Sequence, residues 1–586
     1  MSQTSNGALI ASGKSTIALV LCGLVLHGCG PRNDETPTTT LQLGTSSSPS
    51  EVSGPRNDET PTTTLQLGTS SSPSEVSSTS QAVDLPSSGS MTLVGNVHEP
   101  VAAHTAQISF LRIAALETRE DAFNEIFELG DELFDTDFNS LDGGGANVGN
   151  GMRFTRVPRA DLKGETQWAS HKPFRHTGPN AQSCTACHNQ PFEDGAGSAA
   201  MNVVRDPTGS GQIDKFITRN TPHLFGIGGL QRLAEEMTND LHRIRIEAGL
   251  DAKQQNEAVT RTLVAKGVNF GEITARPDGG IDLSKISGLS DDLVIKPLQW
   301  KGTDATIRKF TRDAAHRELG VQAVELVGDG VDGDFDGVVD EMTVGDVTAM
   351  ALYLAGQPRP TTKLELVDLG LIEPLEPAEI KAIDQGSEAF SDIGCASCHL
   401  PELTLNDAMF SEPSQSASFR DDVFPAGQDP KTAGVDPTYP ITFDLTKDLP
   451  DNRLELADGT IADFGNFETD SKGGAIIQLF GDLKRHDLGA ELAESIDEEQ
   501  TGASVFMTAE LWGVGDTAPY LHDGRALTLT DAILAHGGDA AASREAFEAL
   551  SIDRQSALIA FLNNLVLFKI EEETEEQDAK IAAIAQ

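Results

Sequence analysis

"GPNAQSCTACHNQPFEDGAG", Gly178 to Gly197, holds Cys184, Cys187 and His188 in the order C-x-x-C-H. The order recurs once, as "CASCH" from Cys395 to His399, and the remaining cysteines are Cys22 and Cys29. Two cysteines three apart on a helical turn can each join one vinyl group of a haem. The adjacent histidine then points its imidazole at the iron. A zinc site would need the two pairs to converge and would leave the trailing histidines unexplained. A thioredoxin-like dithiol needs no histidine. The two motifs therefore predict two covalently bound haem c groups. Cys184, Cys187 and His188 hold haem 1; Cys395, Cys398 and His399 hold haem 2.

The rest of the chain sets the context. Its 586 residues predict two or more domains and suffice for a sizeable core. Lys plus Arg number 43 against 90 Asp plus Glu, a net charge of -47. Such a polyanion repels nucleic acid and anionic headgroups, and its charge reads mainly as a solvated surface. Lys14 precedes an apolar run, Thr16 to Leu26, too short for a membrane span and suited to an export signal. Leu26-His27-Gly28-Cys29 resembles a bacterial lipobox, with Cys29 as the lipid-bearing residue. The alternative is an ordinary cleaved signal peptide. "GPRNDETPTTTLQLGTSSSPSEVS" then fills 30–53 and recurs at 54–77. Its Ser, Thr and Pro bury almost nothing, so it reads as a disordered tether whose length costs little. The expected location is the periplasm, with a lipid anchor on the outer membrane.

Downstream, helical periodicity dominates. "DAFNEIFELGDELFD" has apolar residues at helical spacing, Pro377 opens a helix leading into the second motif, and Ser551 caps "SIDRQSALIAFLNNLVL". Strands are scarce in this reading, and long Gly/Pro/Asp loops separate the helices. The expected divisions are a signal over 1–29, the linker over 30–90, haem domains over 91–362 and 363–568, and an acidic tail over 569–586.

Function turns on each iron's sixth ligand, because two strong ligands suit electron transfer and an open face admits peroxide or oxygen. "ELWGVGDTAPYLHDGRALTLTDAILAHGGDA", Glu510 to Ala540, carries a candidate. Thr530 is read as the cap of a helix from Asp531, with Leu529 and Leu534 as its staple and Gly537 and Gly538 as its end. His536 then shares a buried stripe with Ala532 and Ile533. Elsewhere "DGDFDGVVDE" places Asp332, Asp334, Asp336 and Asp340 at positions 1, 3, 5 and 9 of an EF-hand-type calcium loop. Position 12 is Thr343, so Glu341 or Asp346 would have to supply the bidentate carboxylate. Acidic Gly-rich turns without an ion are the alternative.

"TAPYLHDGRALTLTDAI", with "RNTPHLFGIGGLQRL" and "DLKRHDLG", resembles the dihaem cytochrome c peroxidase and MauG superfamily, in its dihaem oxidoreductase branch. By motif order the resemblance covers roughly residues 120–565. It implies a mainly α fold of two cytochrome c-like haem domains with long loops. It implies that haem 2 receives electrons and haem 1 reacts with peroxide. The distal ligand of haem 2 falls fourteen residues after the His522 of H-D-G, at His536, where relatives have Met or Tyr. Histidine there should lower the potential. No histidine lies between His188 and His223, so the distal face of haem 1 is expected to be open; His171, His176 and His223 are the competing ligands. The resemblance also implies acid–base help from Glu235 or Glu236 with Gln231, and a calcium ion on Asn220, Thr517 and Pro519. Trp512 sits where relatives carry an aromatic between haems, although core packing is its commoner use. The expected activity is reduction of hydrogen peroxide with electrons from a small cytochrome c or cupredoxin. A non-catalytic electron carrier and an oxidase or oxygenase on this scaffold are the rivals, and a homodimer is compatible with the resemblance.

Overall fold

The structure is a computed structural model. It describes residues 99–147, 171–173, 175, 178–208, 212–421, 424–425, 427–455 and 461–570. The export signal, Cys22, Cys29, the repeat linker, His98, Trp168, His176 and most of the acidic tail lie outside the described residues. Among the described residues there are eleven α-helices and several small antiparallel sheets.

Helix Arg119–Asp135 begins where Thr118 accepts the backbone N–H of Asp121, and Glu120 and Asp121 complement the helix dipole. Its stripe of Phe123, Ile126, Phe127, Leu133 and Phe134 is buried against helix Val344–Ala355. That second helix is buried on every side and starts with a Thr343/Asp346 capping box. Helix Pro377–Asp392 has Pro at its first turn, and helix Ile552–Leu562 is capped by Ser551. The two pack on each other around Ile383, Phe390, Leu558 and Phe561.

The expectation of scarce strands needs correction after helix Ile227–Gln255. Strands Val259–Ala265, Val268–Ala275 and Ile281–Ile286 form a three-stranded antiparallel sheet, whose first two strands pack on that helix. Lys266 and Gly267, both at positive φ, make the two-residue hairpin turn that suits the right-handed twist of its strands.

The segment after the second motif contributes strongly to the same core as the first. Met409–Glu412 pairs with Ile441–Asp444, and Phe443 stacks on Phe123 at 4.0 Å. Near the end, Leu565–Val566 pairs with Thr361–Thr362. Lys569, placed by sequence in the tail, bonds to the fully buried Asp194 at 3.0 Å. No helix among the described residues is long and apolar enough to cross a membrane.

Candidate functional site

Around the second motif the local geometry is set by short-range bonds. Gly394 adopts the left-handed conformation that starts a tight turn over Cys395–Ser397, and His399 N bonds back to Cys395 O. His399 Nδ1 lies 3.1 Å from Phe480 O. Helix Leu529–Ala535 then delivers His536, whose Nδ1 lies 2.7 Å from Ala532 O. Its cap is Thr528 rather than Thr530: Thr528 accepts the N–H of Asp531 and donates to its carboxylate. The helix therefore starts two residues earlier than expected, and His536 is its extended C-cap.

With both Nδ1 atoms tied to carbonyls, each ring keeps Nε2 as its ligating atom. The ring centres are 6.5 Å apart. Two metal–imidazole bonds of about 2 Å on opposite faces of one ion give about that separation. Burial, and for His399 also its neighbour His536, holds both rings below the ordinary histidine value, His399 at about 4. They are neutral, as ligands must be. His399, His536, Cys395 and Cys398 line one cavity of about 320 Å³, and none of the four motif cysteines is in a disulfide. The residues present fit a c-type haem here.

His188 repeats part of this arrangement. Its N bonds to Cys184 O, and its Nδ1 lies 3.2 Å from Gly195 O. Burial lowers it to about 4. Its ring neighbour among the described residues is Phe134, at 6.1 Å. His223 Nε2 is 3.0 Å from Trp512 O, so only Nδ1 remains for any ligand. His171 is buried with Nε2 on Asn147 O, beside Arg175, and burial followed by that cation lowers it to about 4.

An internal correspondence emerges in the structure. Thr221–Gly228, "TPHLFGIG", matches Thr508–Gly515, "TAELWGVG". Gly226 and Gly513 share φ 73°, and each lies against the other copy. A Cβ on Gly226 would come 2.9 Å from the Trp512 ring, and one on Gly513 would come 3.2 Å from His223 Nε2. Trp512 is thus a buried packing element at this junction.

Of the calcium candidates, Asn220 and Pro519 come together: Asn220 Nδ2 donates to Pro519 O at 2.6 Å. Asn220 Oδ1 is buried without a hydrogen-bond partner, and Thr517 lines the same cavity. Turning the amide would offer a hard cation two oxygens. Asp332, Asp334 and Asp336 gather their carboxylates within 4.8 Å of one another. Asp340 instead accepts Gly330 N, Glu341 accepts Gln322 N, and Asp346 is held by its capping box and His104. The two carboxylates considered for position 12 are therefore engaged elsewhere.

The proposed acid–base trio lies on helix Ile227–Gln255, but none of the three lines the cavity. Gln231 Oε1 accepts Ile307 N at 2.7 Å. Glu235 pairs with Arg232 at 2.6 Å and accepts Ser414 Oγ at 2.8 Å. Glu236 pairs with Lys266 and accepts two backbone N–H groups, of Asn406 and Asp407. Each is spent on fastening helix to loop. Two cavity residues escaped the sequence reading. His486 is within 4.8 Å of Cys398 and 2.8 Å from Asp482, a contact made across a turn and invisible to motif spacing. Glu510 lines the cavity, and burial pushes its carboxyl up to about 7.

Residues 459–565 match the family described as "di-haem oxidoreductase, putative peroxidase". That stretch is similar to the dihaem oxidoreductases. The match spans the stretch that carries His486, Glu510, His522 and His536, so the residues opposite the second motif lie within the part that the di-haem oxidoreductase family defines. The match supports a haem-dependent redox function. A solved structure described as a MauG-like protein associated with microbial copper homeostasis is similar at 14% identity and a TM-score of 0.22, over 49% of this chain and 77% of that one. No curated protein matches.

Proposed function

We propose that this chain is an exported dihaem c-type oxidoreductase that reduces hydrogen peroxide to water. Cys184, Cys187 and His188 would carry one haem; Cys395, Cys398, His399 and His536 would carry the other. The groups supply one-electron iron chemistry, the second site accepting electrons from a small cytochrome c or cupredoxin and the first delivering them to peroxide. The observation that carries this reading is the opposed pair His399 and His536, each with Nδ1 fixed by a carbonyl.

The chain's own residues then divide the work. Phe480 O and Ala532 O orient the two rings of the second site, which suits fast electron transfer with little rearrangement. Gly195 O orients His188 in the same way. Asn220, Thr517 and Pro519 are the proposed calcium ligands.

A pyridine haemochrome assay on purified protein should give two c-type groups per chain. Ferric electron paramagnetic resonance should then show one low-spin bis-histidine signal and one high-spin signal, with peroxide consumed when a donor is supplied. Two low-spin signals and no peroxide turnover would reduce the protein to an electron carrier. Turnover of oxygen but not peroxide would assign it to the oxidases.

A further inference from the structure

We propose that the Glu510 carboxylate takes up one proton from solvent when the iron held between His399 and His536 is reduced. The inference rests on the reading that these two histidines hold a haem. Glu510 stands on a stretch bound to that side of the molecule. Thr508 Oγ1 donates to Asp482, and Leu511 N bonds to Leu479 O, one residue before the Phe480 whose carbonyl orients His399. Leu511, like Cys395 and Phe480, packs against the buried cluster that contains Phe390. Glu510 therefore enters the cavity wall from the backbone that supports the second haem motif.

Its situation differs from that of the other acids. Among the described residues no side chain hydrogen-bonds to the Glu510 carboxylate or forms an ion pair with it, whereas Asp482 accepts Thr508 and faces His486. The other titratable and charged groups sharing the cavity wall are His223, Cys395, Cys398, His399, His486, Tyr520, His522, His536, Asp539 and Arg544. None of them biases Glu510; burial raises its carboxyl, opposed only by a bond to its own backbone N–H. A carboxyl poised near neutral pH by burial alone responds strongly to a new charge nearby, because a low-dielectric cavity screens little.

The step balances simply. One electron, from the redox protein above or a mediator in vitro, converts ferric to ferrous iron. One proton from water converts carboxylate to carboxyl, so the cavity's net charge is unchanged and no iron ligand is broken. Below the value of about 7 to which burial raises it, the carboxyl is already protonated and the potential is flat. Above it, reduction draws in a proton and the potential falls with rising pH. Each tenfold drop in proton activity lowers it by up to about 59 mV, the one-electron constant.

The test is an optical redox titration of the full dihaem chain from pH 5.5 to 9, with mediators, on wild type, Glu510→Gln and Glu510→Asp. The relevant component is the one that His536→Met shifts. Wild type should bend downward from about pH 7. Glu510→Gln should remove the bend, and Glu510→Asp should keep it at a displaced pH. An indicator dye should report about one proton absorbed per electron at pH 8 in wild type and none in Glu510→Gln. An unchanged bend in Glu510→Gln, or a flat wild-type profile, overturns the inference. Absence of any haem band that responds to His536→Met overturns the reading beneath it instead.

Discussion

The two C-x-x-C-H motifs are built alike and furnished differently. In both, the histidine bonds back to the first cysteine and fixes Nδ1 on a carbonyl, Gly195 O in one and Phe480 O in the other. Across from His399 stands His536; beside His188 the ring neighbour is Phe134. Behind the first motif lies an acid cluster. Burial and then a shared hydrogen bond with Asp135 raise Glu193 to about 7, while burial raises Asp194 to about 6 against the pull of Lys569. Behind the second lies His486 on Asp482. Proximal architecture is thus common property, and the neighbours assign the roles.

The sharpest way to break this comparison is to delete one attachment at a time. Cys395→Ser with Cys398→Ser should halve the haemochrome yield and remove the low-spin bis-histidine signal. Cys184→Ser with Cys187→Ser should halve the yield, keep that signal and abolish peroxide turnover. If either pair removes both signals, the sites are not independent.

Stability should separate the surroundings next. Beside the first motif's core, Arg308 is buried between Glu325 and Glu412, with Glu412 at 2.9 Å. Arg308→Ala strands the buried Glu412, leaves Glu325 with Arg312 alone, and should cost about 3–5 kcal/mol in chemical denaturation. A loss under about 1 kcal/mol would show that water reaches the network.

Ligand exchange is a smaller lever. His536→Met should raise the potential of the second site by on the order of 0.1 V, part of the roughly 0.8 V that axial ligands span. Potentiometry checks it, and no shift would remove His536 from the iron.

Smallest is the pH effect at His486. Burial pulls this imidazole down, but hydrogen bonds with Asp482 and Cys398 outweigh it and hold it up to about 10, above its ordinary 6.5. A raised histidine contributes stability that is complete below pH 6.5 and lost as pH climbs through about 10. Once Cys398 is a thioether, only the Asp482 share remains. Thermal melts should therefore decline as pH rises above 6.5 in wild type, and decline less in Asp482→Asn.

Much of this was legible in the chain because the determinants are local. The cysteine spacing, the Ser551 cap, Pro377 and the fourteen-residue step from His522 to His536 are short-range facts. Even the cap error was local: Thr528-x-x-Asp531 is a capping pattern, and Thr530 was a nearer hydroxyl. What could not be read depends on distant partners. Glu235 and Glu236 look like free acids until Ser414 and Lys266 arrive from elsewhere. Glu510 looks like one more surface glutamate until the fold sets it in the cavity wall. The hairpin at Lys266–Gly267 was missed because charged residues interrupt its alternation.

The pairing of Leu565–Val566 with Thr361–Thr362 has a consequence for biogenesis. The strand that clasps Thr361–Thr362, ahead of Cys395 and Cys398, is synthesised only after both cysteines. Until it arrives, that pairing cannot form, and both thiols sit on a chain whose fold is still incomplete.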